Sequence, residues 1–151
     1  MKIKTKYLNE VVIEEEKIIH FEQGIPGFQE EKDFALLVLP NNDLLQNLQS
    51  IETEEIAFIV TNPHLFYPTY EFTLEDYVVD ALHIETEKDI AILTIMTIHE
   101  PFAKSTINLK APIIINTVNK KGKQFILNDD TFEMKAAISN FSNNKGGEAE
   151  C

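Results

Sequence analysis

Apolar residues along this chain gather in short runs separated by polar turns, and the period within most runs is two. That is the spacing of strands, whose successive side chains point to opposite faces. Residues 90–98 carry the clearest case: Ile90, Ile92, Thr94, Met96 and Ile98 share one face, and Ala91, Leu93, Ile95 and Thr97 the other. Both faces are nearly apolar, which predicts a strand in a barrel wall or between covered faces rather than in a sheet with one open side. Residues 34–39 and 56–61 predict two further strands, ended by Pro40 and by Asn62 with Pro63. Residues 11–13 and 17–21 predict short strands around the acidic turn Glu14, Glu15 and Glu16. Residues 113–118 and 124–127 bracket a turn containing Gly122 and predict a hairpin. Phe132, Met134, Ala136 and Ile138 alternate and predict a last extended segment.

Two stretches depart from period two. Asn41 to Asp43 can cap a short helix carrying Leu44, Leu45 and Leu48 on one side. Thr73 and Asp76 have capping-box spacing, and Leu74, Tyr77, Val78, Ala81 and Leu82 fit one helical face, with a strand as the alternative because Tyr77, Val78 and Val79 favour extended structure. Phe66, Tyr67, Tyr70 and Phe72 surround Pro68 and predict an ordered loop, either plugging a barrel end or supplying a recognition surface. Pro26 before Gly27 suits a type II turn between Phe21 and Phe28. The fold expected is therefore mostly β: a small, barrel-like single domain over residues 1–139 with one or two short helices, followed by a flexible polar C-terminal tail over 140–151.

Composition sharpens this picture. Nineteen Ile and seven Val tilt the apolar set toward β-branched side chains, which suit pleated surfaces. The formal net charge of -12 repels phosphate backbones, and the longest basic cluster is Lys120, Lys121 and Lys123, so direct nucleic-acid binding is not expected. The same field speeds encounter with a cationic partner. The single cysteine, Cys151, permits no intrachain disulfide, and neither a signal peptide nor a spanning segment is legible; a cytoplasmic protein without membrane contact is expected.

Catalytic chemistry finds no support in the sequence. His20, His64, His83 and His99 are widely separated, and Asp76 with Asp80 reads as two exposed acids on a helix face. No serine lies in a GxSxG context, and Gly24 and Gly27 lack the third glycine of a dinucleotide cradle. No catalytic residue, cofactor or metal is expected. Glu30, Glu31 and Asp33, with Glu52, Glu54 and Glu55, read as solvated turns or as an acidic partner-facing surface, for which Glu52, Glu54 and Glu55 are the first choice.

Several of these residues also form motifs. Phe21, Gly24, Ile25, Pro26, Gly27 and Phe28 resemble the F-x-x-G-[IL]-P-G-F element of the flagellar assembly factor family, FliW; Leu48, Gln49 and Ser50 give a further short match. Asn108, Leu109, Ala111, Pro112, Ile113, Ile115 and Asn116 resemble its N-L-x-A-P-[IV]-x-[IV]-N element. The resemblance runs from about residue 5 to residue 138 and includes Ala57, Phe58, Val60, Asn62, Pro63 and Gln124. It departs at the close, where the family's Tyr, Arg and following Pro are met by Phe132 and Lys135 without the Pro. On residue chemistry alone, Pro112 marks the first residue of a strand and Asn108 and Asn116 suit local backbone bonding, so the motif either fixes a strand and its turns or touches a partner.

The resemblance implies a small β-barrel-like domain that binds newly made flagellin in the cytoplasm; a monomer is expected. It also implies a second partner, the translational regulator CsrA, an RNA-binding dimer that represses flagellin translation; the factor would relieve that repression until flagellin draws it away. A competing reading is a dedicated flagellin export chaperone with no regulatory partner.

Overall fold

The computed structural model describes residues 1–40 and 42–138. Its first strands are β1 (Lys2–Thr5), β2 (Asn9–Val12), β3 (Ile19–His20), β4 (Asp33–Val38), β5 (Gln46–Ser50) and β6 (Ala57–Thr61). After α1 (Asp76–Leu82) come β7 (Ile90–Thr97), β8 (Thr106–Ile107), β9 (Ile113–Asn116), β10 (Lys121–Gln124) and β11 (Ala136–Ala137). Strands β3, β4, β5, β6, β7, β9 and β10 close into a seven-strand ring, because β7 pairs with β9 as well as with β6. An odd ring cannot alternate direction all the way round. The parallel neighbours are β10 and β3, which meet only at Lys121 and His20, with the His20 N–H donating to the Lys120 carbonyl at 2.8 Å.

Alternating side chains fill the barrel and clothe it. Phe21, Phe34, Leu48, Val60, Leu93, Ile113 and Ile115 point into one interior cluster. Their neighbours in sequence face outward and are covered too. Ala35 packs under the β1–β2 hairpin with Ile3 and Ile13, and Ile114 packs under Val78 and Leu82 of α1. Ile59, Met96 and Ile107 lie under Phe66 and Tyr70. Covered outer faces explain why the β7 segment is apolar on both sides. The aromatic loop accordingly packs outside the wall, its Pro63–Leu65 turn of 3-10 helix starting at Asn62.

Several expected elements take another form. No helix forms over residues 42–48: Gln46–Ser50 is a barrel strand paired with β4 and β6, while Asn41 lies outside the described residues. The 11–13 and 17–21 segments do not pair with each other, since β2 pairs with β1 and β3 with β4. The helix at 76–82 forms, but its N-cap is Glu75, without a side-chain cap bond, and Tyr77 and Ala81 are exposed while Val78 and Leu82 are buried. The hairpin's second strand begins at Lys121 rather than 124, and only Ala136–Ala137 of the last alternating segment is strand. The expected tail over 140–151, with Cys151, lies outside the described residues.

Candidate partner-binding surfaces

Pro112 is the residue before β9, which begins at Ile113 rather than at the proline. Strands β8 and β9 both run along the same partner, β7, and residues 108–112 form an excursion between them: Met96 faces Ile107, and Leu93 faces Ile113. An excursion strands backbone groups that must find partners. Asn108 Oδ1 accepts from the Lys110 and Ala111 N–H groups, each at 3.1 Å. The Leu109 N–H donates to the Glu133 carbonyl at 3.0 Å, and the Leu109 carbonyl accepts the Tyr70 hydroxyl at 2.6 Å. Gln124 Nε2 donates to the Ala111 carbonyl at 3.0 Å. Burial pushes the Tyr70 hydroxyl pKa far above its ordinary value, so it stays a donor.

Asn116 closes the motif with a different task. Its Nδ2 donates to the carbonyls of Leu82 at 2.9 Å and His83 at 3.2 Å, at the C-terminal end of α1, where carbonyls lack intrahelical partners. Its Oδ1 accepts from Val118 at 2.9 Å and Asn119 at 3.3 Å. The side chain is buried and its polar atoms are engaged within the fold.

The early motif is a loop braced on the barrel's inside. Phe21 and Ile25 are buried in the interior cluster beside Ile113 and Ile115, so the two motifs, distant in sequence, share one core. The Phe28 N–H donates to the Ile25 carbonyl at 2.6 Å and Gly27 has φ of 88°, the signature of a type II turn with Pro26 in its first central place. Gly24, at φ 67°, is the tighter position: a Cβ there would lie 2.6 Å from the Cα and carbonyl oxygen of Gln29. Pro26, Gly27 and Phe28 are exposed, and Phe28 stacks edge-on against Phe58 at 5.5 Å between ring centroids.

Asn62 caps the 3-10 turn, its Oδ1 accepting from the His64 N–H at 3.0 Å, and Pro63 is buried. His64 also contacts the Tyr70 carbonyl through Nε2 at 2.9 Å, and His20 Nδ1 lies 2.7 Å from Asp33. Among the described residues, no group of three or more His, Cys, Asp or Glu is placed to hold a metal ion, and no helix is long and apolar enough to cross a membrane. Asp129, held below the usual carboxylate range by hydrogen bonds from Thr131, is fully exposed.

Glu52, Glu54 and Glu55 sit on the turn between β5 and β6, all three exposed. Buried Gln49 holds that turn: its Nε2 lies within 3.3 Å of the Thr53, Glu54 and Ile56 carbonyls, while its Oε1 accepts the Lys6 N–H at 2.9 Å. Beside the turn lies a groove of about 800 Å³ that no sequence motif announced. Tyr7, Leu45, Phe58, Ile59, Met96 and Ile98 line it, and none of its lining residues carries charge. These residues come from four separated segments, so no local period marks them as neighbours. The one hint is that the apolar run of β7 continues one residue past the strand, to half-exposed Ile98.

A closed seven-strand barrel clothed by a hairpin, a short helix and an aromatic loop defines a small β-barrel protein with its motif residues built into the scaffold. The family described as FliW protein matches residues 2–138, and the chain belongs to that family. The flagellar assembly factor FliW of Oceanobacillus iheyensis is 44% identical over 138 residues, 91% of this chain and 94% of that protein. The FliW of Bacillus subtilis is 46% identical, covering 91% and 96%. A crystal structure of the flagellar assembly factor FliW superposes with a TM-score of 0.87 at 42% identity, covering 91% of this chain and 96% of that one.

Proposed function

We propose that this chain acts in the cytoplasm, as a monomer, as a partner-switching flagellar assembly factor that binds flagellin and, alternately, the regulator CsrA. Bound to the regulator, it relieves repression of flagellin translation; accumulating flagellin takes it away. The observation that carries the reading is family membership over nearly the whole length of the flagellar assembly factors it matches. The charge of -12 supports it, since a protein that holds RNA must present a basic surface and is drawn to an acidic one. Glu52, Glu54 and Glu55 are the acidic groups assigned to that encounter. The motif residues Phe21, Gly24, Ile25, Pro26, Gly27, Asn62, Pro63, Asn108, Leu109, Ala111, Pro112 and Asn116 act by holding the scaffold, with Phe28 left to meet a partner.

A three-component competition tests this. The purified chain, flagellin and the regulator are mixed in pairs and together, with the regulator's RNA binding followed in parallel. Binding to both proteins, with flagellin displacing the regulator and RNA occupancy rising as it does, is expected. Binding to flagellin alone makes the chain a dedicated chaperone. A stable ternary complex with undiminished RNA affinity overturns the switch.

A further inference from the structure

The apolar groove has a main-chain floor as well as a side-chain one. The β6–β7 ladder contains only Val60 with Ile95 and Thr61 with Thr94, although β6 begins at Ala57 and β7 continues to Thr97. Beyond Ile95, β7 takes β8 as its partner on the other edge. The Ser50 N–H donates to the Ile56 carbonyl at 2.9 Å, which fixes the alternation of the β5–β6 ladder. Hydrogen-bonded pairs fall at Ile56, Phe58 and Val60, so the main-chain groups of Ala57 and Ile59 point away from β5, into the gap. The Val60–Ile95 pair takes up the Ile59 carbonyl through the Met96 N–H, and the ladder goes no further, which leaves the Ala57 N–H and carbonyl and the Ile59 N–H facing the gap. An edge of this kind accepts an added strand.

The charges where the lining segments end say what kind of strand. Each of the four segments that line the groove runs into an exposed carboxylate within two residues: Glu10 after Leu8, Asp43 after Asn42, Glu55 before Ala57 and Glu100 after Ile98. Lys6, whose ammonium lies over the Tyr7 ring, is the cation nearest in sequence. Apolar floor, open main-chain edge and carboxylates at the ends of the lining segments, two of which, Glu10 and Glu55, share a neighbouring recess with Lys4 and Lys6, together fit one occupant. We propose that the groove takes an extended, apolar segment of a partner protein, flanked by basic residues, as an added strand along β6. A second copy of this chain, itself at -12, is disfavoured by the same charge. The inference rests on reading the chain as a protein-binding factor and assigns that binding to a place.

Amide exchange of the chain is measured alone, with flagellin, with the regulator, and with a synthetic peptide of alternating valine and threonine carrying two lysines at each end. Exchange at 57–59 and 96–98 is expected to slow about tenfold or more with the peptide and with one of the proteins. Two variants then separate the contributions. Ile98→Asp charges a position that is 48% exposed, and Ala57→Pro removes an N–H that the β5 ladder does not use. Each should weaken binding about tenfold or more while thermal unfolding of the free chain shows it folded. If Ala57→Pro fails to fold, Ile98→Asp and the exchange data still decide. A chain that binds neither protein refutes the functional reading; the groove is then judged on the peptide, and unchanged exchange overturns it. It is equally overturned by a partner that binds both variants normally, by protection that grows with the chain's own concentration, or by protection in the free monomer that vanishes when residues 139–151 are removed.

Discussion

Gly24 and Gly27 share one loop and one sign of φ, yet an added methyl should affect them very differently. At both, an L-residue held at positive φ costs about 1–2 kcal/mol. At Gly27 that is the whole cost, because a Cβ meets nothing within 4 Å; Gly27→Ala should destabilise by about 1 kcal/mol and the β-branched Gly27→Val by somewhat more. At Gly24 the Cβ lands 2.6 Å from the Gln29 backbone, which no rotamer change relieves. The loop must shift, and Ile25, 1% exposed, and Phe21, fully buried, shift with it. Losing part of the burial of two large side chains, each worth about 1.5–3 kcal/mol when complete, brings Gly24→Ala to about 3–5 kcal/mol. Urea unfolding followed by circular dichroism reads both, with an unchanged m value as the check that the denatured state is the same. Equal losses at the two positions would refute the assignment of Gly24 as the close approach.

Tyr70→Phe removes the buried donor to the Leu109 carbonyl and should cost about 1–3 kcal/mol by urea unfolding; a loss under about 0.5 kcal/mol means that the carbonyl finds another donor. Asn116→Ala should cost about 2–4 kcal/mol and speed amide exchange in α1 before the barrel strands, since His83 loses its donor while Leu82 keeps the Asn119 Nδ2 bond at 3.0 Å. Exchange that quickens equally everywhere would contradict a local role. Added salt should lower the association rate with the regulator more than it raises the dissociation rate, because screening acts on long-range attraction first, and stopped-flow mixing at several salt concentrations decides it.

The sequence carried the class of fold because β-branched content and period-two runs are local properties. Residues 34–39, 56–61 and 90–98 became strands with ends shifted by a residue or so, and the double-sided apolar face of 90–98 correctly required cover on both sides. The strand β5 was hidden for an equally physical reason. Asn47 and Gln49 face outward yet are fully buried, and in sequence such polar positions look solvated, leaving Leu44, Leu45 and Leu48 to mimic a helix face. The Pro26–Gly27 turn was readable from dihedral preferences, whereas the stricter demand at Gly24 depends on Gln29 folding back over it.

What the amino-acid order determined by itself was therefore the conformational preference of each segment, the acidic field and the motifs that mark the family. Tertiary structure alone decided which strands become neighbours. Ring closure joins β7 to β9 and β10 to β3, contacts between segments far apart in the chain, and period two is indifferent to which partner a strand finds. The same holds for the surfaces. Asn116 reaches the end of α1 across 34 positions, and Tyr7, Phe58 and Ile98 meet in one groove only because the barrel wall parts between β6 and β7.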